Sequence, residues 1–372
     1  MREYPAVAGG DAPERDLLME PAEVTSLQSL LGRFDRMGRR AAFHVENLEA
    51  FERWKGEARR ILGKLLGLDC MEPTTAAAQV TETVRIEPGI VRKRILLPVE
   101  PGVVMPVYAL IPDRLPAGEI QCFVAAAGHG SGGKYSTAGC REIPSVRRRL
   151  EENHTDYGLQ LARQGYAVFC PDSRGFGERQ EREARESGDL FRCSCAELAH
   201  MAEPLGMTVA GMMVWDLMQL LDYIQSGEWW KGENTSACPP STDRIGAVGF
   251  SGGGMQVLYL AAMDERVGMA VISGYMYGVR DSLLEMNRNC SCNYVPHLWE
   301  YFDMGDVGAL LAPRPVVIQS GRKDPLNGAR GIANVLEQVE TMRRAYRLFN
   351  REDALVHQIH DGGHVWVEAG WG

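Results

Sequence analysis

The stretch Gly249-Phe250-Ser251-Gly252-Gly253 decides the fold of this chain. It follows an apolar run at 245–248 and precedes a helix-like segment at 255–263. A serine in a tight turn between a strand and a helix has a free hydroxyl, and flanking glycines leave room where a side chain would clash. A glycine-rich turn with a bystander serine would have the same spacing. The flanking strand and helix favour a serine nucleophile at Ser251.

The composition is that of an ordinary globular protein. The 372 residues are 45% hydrophobic and 24% charged, which is enough for a large core. The net charge of -9 and the absence of a Lys/Arg-rich run argue against a nucleic-acid partner. No apolar stretch reaches the roughly 18 residues that a membrane span needs, so we expect no membrane partner.

Nine cysteines are scattered along the chain, and residues 1–5 contain no apolar leader. We therefore expect a protein of the reducing cytoplasm. Two C-x-C pairs, Cys193/Cys195 and Cys290/Cys292, supply four thiols. Zinc ligands are usually spaced C-x₂₋₄-C, whereas these pairs lie about 100 residues apart. We therefore expect loop or core cysteines, with no metal and no cofactor.

The apolar pattern divides the chain into a helical N-terminal extension at 1–78 and a catalytic domain at 79–372. Three-and-four spacing of apolar residues predicts amphipathic helices within 26–68. Short turns containing Pro and Gly separate three strand-like runs, which predicts an antiparallel meander. These runs lie at 79–87, 91–99 and 104–111.

Apolar strands then alternate with helical stretches. This alternation indicates βαβ crossovers and an α/β fold with a mostly parallel central sheet and helices on both faces. Ligands bind such sheets at the carboxyl ends of the strands, where Ser251 lies. The predicted strands are 122–127, 166–170, 245–250, 269–273, 316–320 and 345–349, and the predicted helices are 155–164, 208–226, 254–264 and 329–343.

A serine nucleophile needs a base that takes its proton and an acid that orients the base. Asp324 follows the apolar run at 316–320, so it lies at the same sheet edge as Ser251. His364 follows two glycines near the C-terminus, in a loop that we expect to precede a last helix. The chain order Ser, Asp, His is one of the known orders of a catalytic triad. We therefore predict Ser251, Asp324 and His364 as the catalytic residues.

Other residues compete for these roles. His357 and His360 are alternatives to His364 as the base. Asp303 and Asp306 are alternatives to Asp324 as the acid. The two aspartates precede an Ala-Leu-Leu-Ala run instead of ending a strand, which is typical of helix N-caps.

An oxyanion hole needs two backbone N–H groups. One is that of Gly252, at the start of the helix after Ser251. The run at 122–127 leads into Gly128-His129-Gly130-Ser131-Gly132-Gly133-Lys134, so His129 or Gly130 is predicted to supply the other. The same stretch matches most of a phosphate-binding loop, but Tyr135 stands where a Ser or Thr would hold Mg²⁺.

Further residues after the next strands could reach this edge. We interpret Arg174 as a buried strut that pairs with Asp216 or Asp172, with an anion clamp as the alternative. Asn293, Tyr294 and Trp299 are predicted to line a substrate pocket beside Ser251, because aromatic faces suit a sugar ring. The alternative is that this segment only packs on the body of the enzyme.

These motifs together resemble the α/β-hydrolase superfamily, and more narrowly the bacterial acetyl xylan esterase-like and dienelactone hydrolase-like proteins with a helical N-terminal extension. The resemblance covers roughly residues 30–372 and implies the α/β-hydrolase fold. Dienelactone hydrolases use a cysteine nucleophile, whereas Ser251 stands at that position here. Besides the Ser, Asp and His residues, the resemblance is carried by the motifs at 172–177, 249–254, 290–296, 312–315 and 360–366.

The resemblance implies a serine carboxylic-ester hydrolase that works through an acyl-enzyme and deacetylates carbohydrate or other small acetyl esters. The expected partner is a small-molecule ester such as an acetylated sugar, and a homo-oligomer is compatible with the sequence. One alternative is a prolyl-oligopeptidase-like peptidase, although the roughly 120 upstream residues are too few for a gating propeller. The second alternative function is that of a catalytically inactive binding protein with the same fold.

Overall fold

The computed structural model describes residues 25–230 and 240–368. A nine-stranded sheet forms its centre, with the strand order β1-β2-β3-β5-β4-β6-β7-β8-β9. The strands are β1 (Gln79–Glu87), β2 (Ile90–Glu100), β3 (Val103–Pro112), β4 (Cys122–Ala126), β5 (Ala167–Pro171), β6 (Ile245–Phe250), β7 (Val267–Ser273), β8 (Val316–Gly321) and β9 (Leu355–His360).

The sheet is antiparallel at one side and parallel over the rest. Strands β1, β2 and β3 form an antiparallel meander, and β3 pairs antiparallel with β5. Strands β5, β4, β6, β7, β8 and β9 pair in parallel. The short strands β4 and β5 are buried along their whole length, as expected for parallel strands covered on both faces. The predicted α/β-hydrolase fold with a mostly parallel sheet is therefore confirmed.

Eleven α-helices surround the sheet within the described ranges. Among these residues, no single helix is long and apolar enough to cross a membrane; only the bent pair Cys195–Leu205 and Val209–Ser226, with 93° between its parts, reaches that length and composition. The helices are α1 (Leu27–Met37), α2 (Leu48–Leu66), α3 (Lys134–Thr137), α4 (Pro144–Asn153), α5 (Tyr157–Arg163), α6 (Arg182–Glu186), α7 (Cys195–Ala202), α8 (Val209–Ser226), α9 (Gly252–Met263), α10 (Met304–Ala309) and α11 (Ile332–Leu348).

Helices α1 and α2 form the described part of the predicted extension, whose residues 1–24 lie outside the described residues. The Asn47 side chain caps α2 by accepting the Ala50 N–H at 2.9 Å, and Gly67 ends it in the left-handed conformation. Phe51 is fully buried, and its ring lies 5.0 Å from that of Phe349. The apolar face of α2 therefore packs on the sheet-bearing part of the molecule.

One prediction near the C-terminus is wrong. Residues 345–349 were predicted as a strand, but α11 extends through Leu348, because its buried stripe continues at helical spacing through Met342 and Tyr346. The last strand is β9, which lies at the sheet edge and is only partly buried. Its sequence therefore contains both apolar and polar residues. Of the helix expected after His364, residues 365–368 are irregular and residues 369–372 lie outside the described residues.

Candidate active site

Ser251 lies in a strained turn between β6 and α9. Its backbone angles are φ 57° and ψ -122°, a conformation that residues with a side chain rarely adopt. The turn is compact: a Cβ on Gly249 would lie 2.2 Å from the Gly253 carbonyl oxygen, and one on Gly253 would lie 2.0 Å from that of Ala126. Glycine is therefore required on both sides of the serine, as the sequence motif predicts.

Asp324 and His364 form a hydrogen-bonded pair at the same edge of the sheet. His364 Nδ1 lies 2.7 Å from Asp324 Oδ2. Asp324 Oδ1 accepts the Leu326 N–H at 2.8 Å, so both carboxylate oxygens are held, and the residue is only 5% exposed. The ring of Phe250 covers the imidazole at 4.7 Å between centroids. The arrangement fixes the imidazole and directs its Nδ1 atom to the carboxylate.

The competing residues are engaged elsewhere. His357 Nε2 lies 3.1 Å from Ser320 Oγ, and His360 Nδ1 accepts the Gly362 N–H at 3.2 Å. Asp303 caps α10 in a capping box with Asp306, which confirms the N-cap interpretation of these aspartates.

The glycine-rich loop after β4 packs directly against the serine turn. A Cβ on Gly128 would lie 2.5 Å from the Phe250 carbonyl oxygen and 3.3 Å from Ser251 Cβ. A Cβ on Gly252 would lie 2.5 Å from His129 Nδ1. The Gly252 N–H has no acceptor within its own helix, because it belongs to the first turn of α9. Gly130 follows with a φ of 66°. The structure thus brings together the three residues predicted for the oxyanion hole.

Lys134, which ends the same glycine-rich stretch, belongs to a buried ion pair. Its side chain is fully buried, and its ammonium lies 2.6 Å from Asp172 Oδ2. Burial opposes the charge, but the carboxylates of Asp172 and Glu178 outweigh it and raise the pKa of Lys134. A buried and paired ammonium cannot reach a phosphate group in solution, so the structure does not support a phosphate-binding loop.

Arg174 is a buried strut, as predicted. It donates from Nε and Nη2 to the two carboxylate oxygens of Asp216 at 3.0 and 2.9 Å, and it also pairs with Glu100. A bidentate pair of this kind holds the loop after β5 against α8. Asp172, the other predicted partner, pairs with Lys134 instead.

A cavity of about 480 Å³ opens at Ser251. The residues predicted to bind substrate are divided between this cavity and another. Asn293 lines the cavity, but Tyr294 and Trp299 line a separate pocket next to α1, which corrects the expectation that their rings stand beside Ser251. The two rings pack on each other at 5.9 Å, and the Tyr294 hydroxyl donates to the Leu283 carbonyl. The cavity is lined by His129, Cys193, Phe250, Ser251, Gly252, Tyr275, Tyr277, Arg288, Asn289, Cys290, Asn293, Leu326 and His364.

The two C-x-C pairs meet at the wall of this cavity, although they lie about 100 residues apart in the sequence. Cys193 Sγ lies 3.7 Å from Cys290 Sγ, and the sulfurs of Cys195 and Cys292 lie 3.9 and 3.2 Å from His129 Nε2. Hydrogen bonds from Cys193, Cys195 and Cys292 lower the pKa of the Cys290 thiol. The separation of the two pairs along the chain did not predict their distance in space, because the loops after β5 and β7 both lie at the carboxyl edge of the sheet.

Fold and site together define a hydrolase of the α/β-hydrolase type. A model described as the Abhydrolase family matches residues 34–360, so this chain belongs to that family. A Bacillus subtilis (strain 168) protein named as a hydrolase, YtaP, is 28% identical over 291 residues, which cover 77% of this chain and 86% of that protein.

Solved structures show the same fold at low sequence identity. A protein named as an acetyl xylan esterase from Bacteroides fragilis NCTC 9343 has a TM-score of 0.72 at 18% identity, covering 91% of this chain and 82% of that one. A glucuronoyl esterase from Solibacter usitatus has a TM-score of 0.58 at 15% identity, covering 84% of this chain and 89% of that one.

Proposed function

We propose that this protein is a serine carboxylic-ester hydrolase with Ser251 as nucleophile, His364 as base and Asp324 as the orienting acid. The observation that carries the proposal is the 2.7 Å pair of His364 and Asp324, which opens into the same cavity as the strained Ser251 turn. A serine, a histidine held by a buried carboxylate and a free helix N-terminus are what acyl transfer requires.

The proposed reaction starts with attack of Ser251 Oγ on the ester carbonyl. His364 takes the serine proton at Nε2, while its Nδ1–H donates to Asp324 and stabilises the imidazolium. The Gly252 N–H and that of His129 or Gly130 stabilise the tetrahedral oxyanion. His364 then gives its proton to the leaving alcohol. Water, activated by the same imidazole, releases the acid from the acyl-enzyme and restores Ser251.

A small acyl group on a polar alcohol is the substrate that we infer. The cavity has the volume of an ordinary small-molecule site, and its lining includes the polar side chains of Arg288, Asn289 and Asn293, which suit a hydroxylated leaving group. The structural relatives named as acetyl xylan esterase and glucuronoyl esterase act on carbohydrate esters by name, which supports an acetylated sugar as the substrate class.

Ser251→Ala tests this function. We expect the variant to lose p-nitrophenyl acetate turnover by roughly 10⁴-fold or more, because only the oxyanion hole and binding remain. A fluorophosphonate probe should label the wild type at Ser251, located by mass spectrometry, and should not label the variant. Ser29→Ala, on the exposed face of α1, is the matched control and should keep full activity.

Three results would contradict the proposal in different ways. Near-wild-type turnover by Ser251→Ala would show that another group is the nucleophile. A folded wild type that neither reacts with the probe nor cleaves any ester would indicate an inactive binding protein. Faster cleavage of an aminoacyl-proline amide than of acetylated sugars, feruloyl esters or methyl uronates would indicate a peptidase.

A further inference from the structure

Three side chains that line the cavity, together with buried Cys195 behind them, have the geometry of a metal site. One ligand atom from each of His129, Cys193, Cys195 and Cys290 lies within 4.8 Å of the other three. Cys195 is fully buried, and the other three residues are partly buried. The four residues come from the segments that follow β4, β5 and β7, with Cys195 as the first residue of α7, and these segments meet at the carboxyl edge of the sheet. Such a convergence of sulfur and imidazole ligands is typical of zinc sites.

The spacing of the sulfurs fits a shared metal better than a disulfide. In a tetrahedron with Zn–S bonds of about 2.3 Å, neighbouring sulfurs lie about 3.8 Å apart. The Cys193–Cys290 distance of 3.7 Å matches this edge. A disulfide would require about 2.05 Å. The 3.9 Å separation of Cys195 Sγ and His129 Nε2 is close to the same edge length.

We propose that His129, Cys193, Cys195 and Cys290 bind one zinc ion in a closed tetrahedral site. Three thiolates and one imidazole select a soft or borderline divalent ion over magnesium or calcium, which prefer oxygen ligands. Four protein ligands leave no open position for water, so the ion has a structural role and not that of a Lewis acid.

Cys292 is placed in the outer shell of this site. Its sulfur lies 3.2 Å from His129 Nε2 and accepts the Asn293 side-chain N–H at 3.6 Å. Its sulfur is not one of the four ligand atoms that all lie within 4.8 Å of one another, and outer-shell groups of this kind orient the ligands and tune a metal site. Cys292 therefore supports the metal ligands without being one of them.

The site would fix the glycine-rich loop after β4 against the serine turn. His129 presents Nε2 to the sulfurs, and its Nδ1 side faces Gly252, the first residue of α9. Ion binding therefore immobilises the residue whose ring packs against Gly252. This inference does not depend on the proposed ester chemistry, since it follows from the ligand geometry alone.

The first measurement is metal content of the full-length protein. We expect about one zinc per chain by elemental analysis after purification under reducing conditions, and tight rebinding of one zinc by protein stripped with a strong chelator. Cobalt added to the stripped protein should give the visible absorption of a tetrahedral thiolate site, which is independent of activity. Zinc should also raise the Tm of the stripped protein.

Ligand variants separate this site from adventitious binding. Cys193→Ser, Cys290→Ser and His129→Ala should each weaken zinc binding by roughly 100-fold or more, which exceeds the usual outer-shell effect. Cys292→Ser should weaken it less than these three. Cys70→Ser is the matched control, because Cys70 is exposed and lies outside the cluster, and its binding should equal that of the wild type. Circular dichroism checks that each variant is folded.

Each contrary result overturns a defined part of the proposal. Stoichiometric binding that survives in folded Cys193→Ser/Cys290→Ser would show that the ion binds elsewhere. Loss of binding in Cys292→Ser with retention in His129→Ala would replace the proposed ligands by four cysteines. A Cys193–Cys290 disulfide in protein isolated under reducing conditions, together with no zinc uptake, would show that the cluster is a redox pair.

Discussion

At the scale of single residues, the proposed site depends on the orientation of one imidazole. Asp324 fixes His364 Nδ1 at 2.7 Å, whereas His360 is held by a backbone N–H of its own loop. His364→Ala should therefore reduce kcat by roughly 10⁴-fold or more, about as much as Ser251→Ala, because the two residues act as a unit. His360→Ala, the matched control, should lose less than roughly tenfold on this argument.

Steady-state kinetics with p-nitrophenyl acetate check this pair of variants. The reverse ranking, with His360→Ala the more damaging change, would show that His360 is the base. Wild-type activity should also fall at acid pH, because an imidazolium cannot accept the serine proton. A flat profile from about pH 5 to 8 would contradict any histidine base.

Gly128 tests the packing of the predicted oxyanion hole. A Cβ at this position would lie 2.5 Å from the Phe250 carbonyl oxygen, so Gly128→Ala must push the loop away from Ser251. We expect kcat to fall by roughly 10²–10³-fold, the usual loss when one oxyanion donor is displaced. Gly56→Ala is the control, since nothing lies near its Cβ, and it should leave the kinetics unchanged.

Thermal unfolding decides how a loss in Gly128→Ala is interpreted. A kcat loss with a nearly unchanged Tm indicates a displaced N–H donor. An unchanged kcat in a folded variant would show that the loop after β4 does not contribute to the hole, and the second donor would have to be sought elsewhere.

Much of the residue-scale geometry could be predicted because it is local. The serine turn follows from a strand, a G-x-S-x-G sequence and a helix within about 15 residues, a pattern with one common structural solution. The cysteine cluster could not be predicted from spacing. It depends on three loops of unrelated length that end at one sheet edge, and His129 was assigned to the oxyanion hole without any sign of its thiol neighbours.

At the scale of elements, buried ion pairs hold the loops of the active-site edge to one another. Asp172 Oδ1 accepts the Lys134 N–H at 2.8 Å, and its Oδ2 accepts the Lys134 ammonium and the Glu178 N–H. These bonds connect the loop after β4 to the loop after β5. The same loop after β5 is held to α8 by the Arg174–Asp216 pair.

Lys134→Met should destabilise the protein by about 3–5 kcal/mol, because it leaves the Asp172 carboxylate buried without its main counter-charge. Chemical denaturation measures this loss. Adding Asp172→Asn to the variant should recover part of the lost stability, since the unpaired charge is then removed. The control Lys64→Met, on the exposed face of α2, should change stability by less than about 0.5 kcal/mol. A loss in Lys134→Met no larger than in this control would show that the pair is not important for stability.

The sequence predicted the central elements better than the edge. Strands β4, β5 and β6 are short apolar runs between turn residues, which is the pattern of a buried parallel strand. The segment at 345–349 is also a short, mostly apolar run, but it completes the buried stripe of α11, because periodicity alone does not separate a buried strand from the end of a helix. Strand β9 was missed as a strand because an edge position leaves half of its residues polar, and pairing with β8 is not visible in the local sequence.

At the scale of the whole molecule, one partly buried histidine links stability to pH. His357 lies on β9, and its Nε2 is 3.1 Å from Ser320 Oγ. Burial and, to a smaller extent, the positive charge of Arg343 together lower the pKa of His357 from 6.5 to about 4. Other groups titrate in the same pH range, since burial raises the pKa of Asp303 to about 6. The contribution of His357 is therefore best measured as a difference between two proteins.

The sign of this contribution follows from proton uptake. Between about pH 4 and 6.5 the unfolded state binds more protons at His357 than the folded state, so stability rises with pH in that window. The contribution of His357 to the free energy of unfolding is fully present above about pH 6.5 and is lost as the pH falls toward about 4. The total loss is limited to about 3 kcal/mol. His357→Gln keeps a side chain that can hydrogen-bond Ser320 but does not titrate. The wild type should therefore lose up to about 3 kcal/mol more unfolding free energy than His357→Gln between about pH 7 and 4, as measured by urea denaturation at each pH. Parallel curves for the two proteins would contradict a buried neutral imidazole at this position.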